Sequence, residues 1–242
     1  MSGISQMLWT GGNPWWPYAV LVMNMDGAIG QTYFTDACGH PLYGNSPNPS
    51  VNADVPYPAF NQSMLCPGSG ASGYTAYNSH DFELPGDYWI QFWFKSLGDQ
   101  AGYPGGFLLC MKFDATGDIF NSFNIHISTS GGVDTVEAYL INSPTPIGFG
   151  HVSRTWHHLA IGRQGSSTYT FIDGVGGLAG THAPGLIAAT SATGTDVMVG
   201  SFRPLSYSGN QFHGLIDDLV ILKGVCRHTS NFTPDPYPFR TF

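Results

Sequence analysis

Tyr88-Trp89-Ile90-Gln91-Phe92-Trp93-Phe94-Lys95 reads as a β-strand. Six of its eight residues are aromatic or β-branched, the types that fit a pleated surface. A period of two puts Tyr88, Ile90, Phe92 and Phe94 on one face and Trp89, Gln91, Trp93 and Lys95 on the other. The first set is expected in the core between two sheets. Similar short runs lie on either side, at Tyr18–Met25, Ser63–Cys66, Tyr74–Tyr77, Phe107–Phe113, Ile119–Ile127, Thr135–Ile141, Trp156–Arg163, Thr168–Ile172, Val197–Val199 and His213–Leu222. Turn residues separate them. Gly39–Ala59, with Pro41, Pro47, Pro49, Pro56 and Pro58, reads as one long loop. About a dozen short strands with turns between them indicate a sandwich or barrel. No segment sustains a 3.6-residue period, and no internal repeat stands out.

Composition agrees. The chain has 242 residues, enough for one large all-β unit. Only 10% are charged, while Gly is 32 and Pro is 17. The net charge is −8, and the eight Lys and Arg never cluster. Binding to phosphate backbones or anionic lipid needs clustered basic groups, so neither nucleic acid nor a membrane surface is an expected partner. No apolar run approaches the length of a membrane-spanning helix. The N-terminal residues lack a basic start followed by an apolar run and do not read as a secretory signal. Cys38, Cys66, Cys110 and Cys226 form no C-x-x-C pair and read as small buried thiols rather than disulfides.

Residues 1–18 differ from the rest. Met7, Leu8, Trp9, Trp15, Trp16 and Tyr18 are large and apolar, interrupted by Gly11, Gly12, Pro14 and Pro17. Such a segment forms neither helix nor regular strand. A fully buried aromatic contributes about 2–3 kcal/mol, so the tryptophans need cover. They pack either on their own domain or on a neighbour. Because Trp and Tyr anchor interfaces, the expectation is an assembly arm, with Trp9, Trp15, Trp16 and Tyr18 contacting another subunit of at least a homo-oligomer. The domains expected are thus an arm, 1–18, and a sandwich, 19–242.

The closing segment, Phe212-His213-Gly214-Leu215-Ile216-Asp217-Asp218-Leu219-Val220-Ile221-Leu222-Lys223-Gly224-Val225-Cys226-Arg227-His228 with Asn231-Phe232-Thr233-Pro234, resembles a signature of concanavalin-A-like, laminin-G-like domains of tailed-bacteriophage virion proteins. Met23-Asn24-Met25-Asp26-Gly27 with Thr35-Asp36, then Thr155-Trp156-His157-His158-Leu159-Ala160, and Phe171-Ile172-Asp173-Gly174 are similar to the family's other landmarks, in its order. Cys226 and His228 stand where the family usually has Ala and often Tyr, and residues 1–18 have no counterpart. The resemblance implies an all-β, two-sheet antiparallel jelly-roll sandwich in a virion protein assembled in the host cytoplasm. With no heptads or fibre repeats for a shaft, a capsid decoration protein, head fibre or small tail appendage is expected, with host-surface glycan as a further partner. The alternatives are a receptor-recognition carbohydrate module of a tail fibre, and a glycan hydrolase.

Candidate sites follow from residue chemistry. Glycoside hydrolysis needs two carboxyl groups across one bond. Glu83 and Glu137 are far apart, and the adjacent Asp217 and Asp218 are expected on opposite strand faces, so no enzyme is expected. His157 and His158 diverge for the same reason and do not read as joint metal ligands. Jelly rolls of this kind often hold calcium where first and last strands meet, which implies Asp26, Asp36 and Asp217 as oxygen ligands, against a plain Asx turn at Asp26. Trp89, Gln91 and Trp93 share a face, as in aromatic sugar platforms; the alternative is packing under loops.

Overall fold

The computed structural model describes residues 12–32, 34, 36–45, 49–68, 73–98, 105–111, 123–140, 145–181, 195–201 and 211–240. Trp9 and Thr35 lie outside the described residues. The strands are β1 (Ala19–Met23), β2 (Leu42–Asn45), β3 (Ser50–Asn52), β4 (Ser63–Pro67), β5 (Gly73–Ser79), β6 (Tyr88–Ser96), β7 (Gly106–Met111), β8 (Phe123–Ser130), β9 (Val133–Tyr139), β10 (Ile147–Val152), β11 (Trp156–Gln164), β12 (Ser167–Ile172), β13 (Val175–Thr181), β14 (Thr195–Val199) and β15 (His213–Lys223). One sheet runs β13-β12-β11-β6-β15-β4-β3, with β1 also paired to β15. The other runs β10-β9-β8-β7-β14-β5-β2. The pairings are antiparallel, and the two sheets form the expected sandwich.

The alternation in β6 holds. Tyr88, Ile90, Phe92 and Phe94 join the main core with Phe123, Ile125 and Val136 of the facing sheet. Trp89 belongs to a second, outer cluster with Val220, Leu222, Phe171 and Phe239. The four strands absent from the sequence reading each have a local reason. β2 and β3 are short pieces within Gly39–Ala59, too brief to show a period. β10 and β13 are glycine-rich, Ile-Gly-Phe-Gly-His-Val and Val-Gly-Gly-Leu-Ala-Gly-Thr, and carry little β-propensity.

β15 is the spine. Its first half, His213–Ile216, pairs with β4, and its second, Leu219–Leu222, with β1, on the same flank. β6 covers the opposite flank through both halves. Between the halves the β6 register slips from Asp217↔Trp93 to Val220↔Gln91, and Asp218 takes a φ of 48°. This β-bulge adds one residue. Ile216 and Leu219 therefore both face the main core, while Val220 and Leu222 face outward. The expectation that Asp217 and Asp218 point to opposite faces fails here, because the bulge interrupts the period of two. All four cysteines are free thiols.

Candidate functional site

The outer face of β6 is divided among three coverings. At one end Trp93 packs edge-on against Tyr57 at 5.2 Å and against His158 at 5.0 Å, with Phe60 at 6.3 Å. The segment carrying Tyr57 is held down by Asp54, which accepts from Lys95 Nζ (2.6 Å) and Trp156 Nε1 (2.8 Å). At the other end Trp89 lies among Phe171, His228 and Phe232 at 5.4–5.8 Å, and His228 stacks on Phe232 at 4.1 Å. Gly162, opposite Trp89 on β11, makes room for the indole: a Cβ there would sit 2.4 Å from the ring. Trp89 is fully buried and Trp93 is 5% exposed. The expected Trp89–Gln91–Trp93 platform therefore offers a sugar no open aromatic face; its two indoles are core to the segments that cross them.

Gln91, between them, is equally buried but borders open space. It lines a cleft of about 480 Å³ walled by Asn13–Trp15 on one side and Asp235–Arg240 on the other. The two walls touch where Asn13 Nδ2 donates to the Arg240 carbonyl at 3.1 Å. Trp16 packs on Phe239 at 6.0 Å, fixing the first wall to the second. Arg227 forms much of the floor. Its guanidinium sits 5.4 Å from the centre of the Trp15 ring, donates to Gln91 Oε1 at 2.7 Å and pairs with Asp235 at 3.2 Å. Gln91 Oε1 also accepts from Trp89 Nε1 at 2.8 Å. Asp218, turned into the cleft by the bulge, accepts from the Phe239 N–H at 2.9 Å and so pins the second wall.

The electrostatics follow from burial. Desolvation pushes the Asp218 carboxyl up to about 7, with Asp235 and Asp26 adding to the rise and Arg227 opposing it. Near neutral pH Asp218 thus exists both as a donor and as an acceptor. Burial raises Asp217 well above the carboxylate range, and Asp218 raises it further. Burial pushes His158 down to about 3, so it stays neutral beside Trp93. Aromatic walls formed by Trp15 and Tyr237, with planar hydrogen-bonding groups on Gln91, Arg227 and Asp235, suit a hydroxyl-rich ligand.

Of the aspartates read as calcium ligands, Asp26 is near enough to Asp217 to help raise its carboxyl, but the three do not converge. The Asp36 side chain is buried and spent: it accepts from the N–H groups of Val22, Cys38 and His40 and from His40 Nδ1 at 2.7 Å. Asp26 is exposed and bonded to Asn61 at 3.3 Å, while Asp217 is sealed with one oxygen unpartnered. Among the described residues no group of three such side chains converges on a point a metal ion would occupy, so these three do not fit a calcium centre.

The arm residues that are described fold back. Trp15, Trp16 and Ala19, each partly buried, pack on the outer cluster of their own domain, and Tyr18 is 42% exposed. Glu83 and Glu137 do not line the cleft. Sequence reasoning singled out Gln91 and Trp15 but missed Arg227, Asp235, Tyr237 and Phe239. The signal available was a lone arginine followed by an acid and aromatics, in a chain with only eight basic residues.

No protein-family model matches the chain, and no curated protein matches it in sequence. Solved structures match its fold. Domain 4 of an extracellular GH43 arabinanase from Geobacillus stearothermophilus, in complex with arabinotriose, matches with TM-score 0.54 at 17% identity, over 86% of this chain and 94% of that one. A Trypanosoma rangeli sialidase in complex with sialic acid matches with TM-score 0.55 at 10% identity, over 90% of this chain and 31% of that one. The binding domain of botulinum neurotoxin DC in complex with SialylT gives 0.53 at 14%, over 90% and 49%. The chain thus spans nearly all of the arabinanase domain, but only about a third and a half of the other two.

Proposed function

We propose that this protein is a glycan-binding sandwich whose cleft does no chemistry on the sugar, carried on a virion as a decoration protein, head fibre or small tail appendage, and that the sugar sits in the cleft between the Asn13–Trp15 and Asp235–Arg240 walls. The cleft carries the reading. It lies over Gln91, between the two sealed indoles of β6, and it combines aromatic walls with fixed planar hydrogen-bonding groups. Proteins that contain sandwiches of the same fold occur in complexes with arabinotriose, sialic acid and SialylT. Glycoside hydrolysis in the cleft is disfavoured by the acids themselves. Asp217 is sealed, Asp218 is tied to the Phe239 N–H, and Asp235 is paired with Arg227. The virion assignment rests on the closing segment, Phe212–Pro234, and its resemblance to phage domains.

The test is a glycan array with the wild-type chain, followed by calorimetry on any hit with Trp15→Ala and Arg227→Met. Expected is binding to a defined set of glycans, lost by tenfold or more in either variant. Binding that both variants retain would remove the cleft from the proposal. No glycan bound by the wild type would remove glycan recognition altogether.

A further inference from the structure

Outside the lining of the cleft, a second set of polar side chains is organised for chemistry. The crossover from β10 to β11 carries Ser153 and Thr155, both exposed, and His157 follows at the start of β11. His157 Nδ1 lies 2.7 Å from Asp173 Oδ2, and its Nε2 lies 2.9 Å from Ser153 Oγ and 3.3 Å from Thr155 Oγ1. A carboxylate only accepts, so the proton of the neutral ring is on Nδ1 and the lone pair of Nε2 is aimed at the hydroxyls.

Asp173 is held firmly. Its other oxygen, Oδ1, accepts from the His158 N–H at 2.8 Å, and its own N–H donates to the His158 carbonyl at 2.8 Å. It occupies the left-handed region, φ 54°, in the tight turn closed by Gly174, whose carbonyl accepts from the Phe232 N–H at 2.9 Å. The imidazole is 14% exposed while Ser153 stands in solvent, so the base is fixed and the hydroxyl is reachable. Burial acts to raise Asp173, but the hydrogen bonds from His157 and His158 outweigh it and hold the carboxyl below its ordinary range.

Another histidine offers a contrast. His40 has Asp36 on Nδ1 at 2.7 Å and Asp81 on Nε2 at 3.1 Å, with the Ser79 hydroxyl at 3.4 Å. Both of its ring nitrogens face carboxylates, so no lone pair is left for the hydroxyl. Of these two histidines, His157 is the one whose carboxylate on one nitrogen leaves the other for a serine.

We propose that Ser153, His157 and Asp173 act as nucleophile, base and positioning residue, and that Ser153 Oγ is acylated by esters of small carboxylic acids. Ser153 Oγ attacks the ester carbonyl carbon while its proton passes to His157 Nε2. The bond from that carbon to the alcohol oxygen breaks, and the leaving alkoxide takes the proton from His157. Water then attacks the acyl-serine, giving its proton to His157, which returns it to Ser153 as the acid departs. The balance is ester plus water to acid plus alcohol.

The experiment uses the full chain with p-nitrophenyl acetate, and separately with diisopropyl fluorophosphate, read by intact mass and peptide mapping. Expected is one adduct per chain, on Ser153, absent from the urea-unfolded protein. His157→Gln should slow its formation by about 10²-fold. Asp173→Asn keeps the turn, because Asn tolerates the left-handed region. It should slow acylation about tenfold or more and move the inflection of the pH–rate profile to lower pH, with melting temperature little changed. No adduct on Ser153, an adduct on Thr155 instead, or labelling of Ser153 that is unchanged by Asp173→Asn would each overturn the proposal. In those cases the cluster is a tether for the β10–β11 crossover.

Discussion

The two faces of β6 are both buried, but by different means. The face bearing Ile90, Phe92 and Phe94 is covered by a second sheet, whose strands are themselves hydrogen-bonded neighbours. The face bearing Trp89, Gln91 and Trp93 is covered by irregular segments: residues 15–19, 54–60 and 225–239. A sheet covers a sheet continuously. Separate segments leave a seam, and the cleft is that seam. Apolar alternation tells which side chains are buried; it does not tell whether the cover is regular enough to exclude a ligand.

Truncation should separate the two kinds of cover. Phe92→Ala removes a fully enclosed ring from between the sheets and should cost about 3–5 kcal/mol in denaturant unfolding. Trp16→Ala strips part of the segmental cover and should cost about 2 kcal/mol, while widening the cleft and weakening any glycan bound there. Equal losses from the two substitutions would mean that the outer cover is as integral to folding as the second sheet, and the distinction would fall.

A smaller effect sharpens the same contrast through pH. Asp218 lies under the segmental cover with its pKa raised to about 7. The unfolded chain releases this proton near the ordinary carboxylate value, so the native state binds more protons than the unfolded one up to about pH 7. Stability from this group therefore falls as pH rises. His158 and His126, pushed down by burial to about 3 and about 4, act in the opposite direction, but only below their unfolded value near 6.5. Between pH 6.5 and 8 Asp218 acts without that opposition. Stability should drop by roughly 1 kcal/mol across that window, followed by chemical denaturation at each pH, and Asp218→Asn should flatten the drop. A profile unchanged in the variant would mean that water reaches Asp218 freely.

Strands rich in large apolar residues were legible in the sequence, β6 and β15 above all, because burial on a pleated sheet imposes a period of two. β10 and β13 were not, since glycine carries no side chain to mark a face. Asp217 and Asp218 were assigned to opposite faces because nothing in Ile-Asp-Asp-Leu announces a bulge; it becomes necessary only where β4 gives way to β1 along one flank of β15. The cleft was legible in part. Gln91 and Trp15 drew attention as residue types in unusual settings. Their convergence with Arg227, Asp235 and Phe239 is a property of tertiary packing, across more than two hundred residues of sequence, and no local pattern encodes it.

The pairing of β1 with β15 also sets a load path. Ala19 faces Leu222 at one end of the ladder, and the segments leaving that end, 12–18 and 224–240, form the cleft walls. A pull that separates these two segments strains the Asn13–Arg240 bond first, then opens the β1–β15 hydrogen bonds one after another, as a zipper does. A molecule gripping both walls at once would bridge the seam and share the tension between them. In this geometry, occupancy of the cleft and resistance to peeling are mechanically linked.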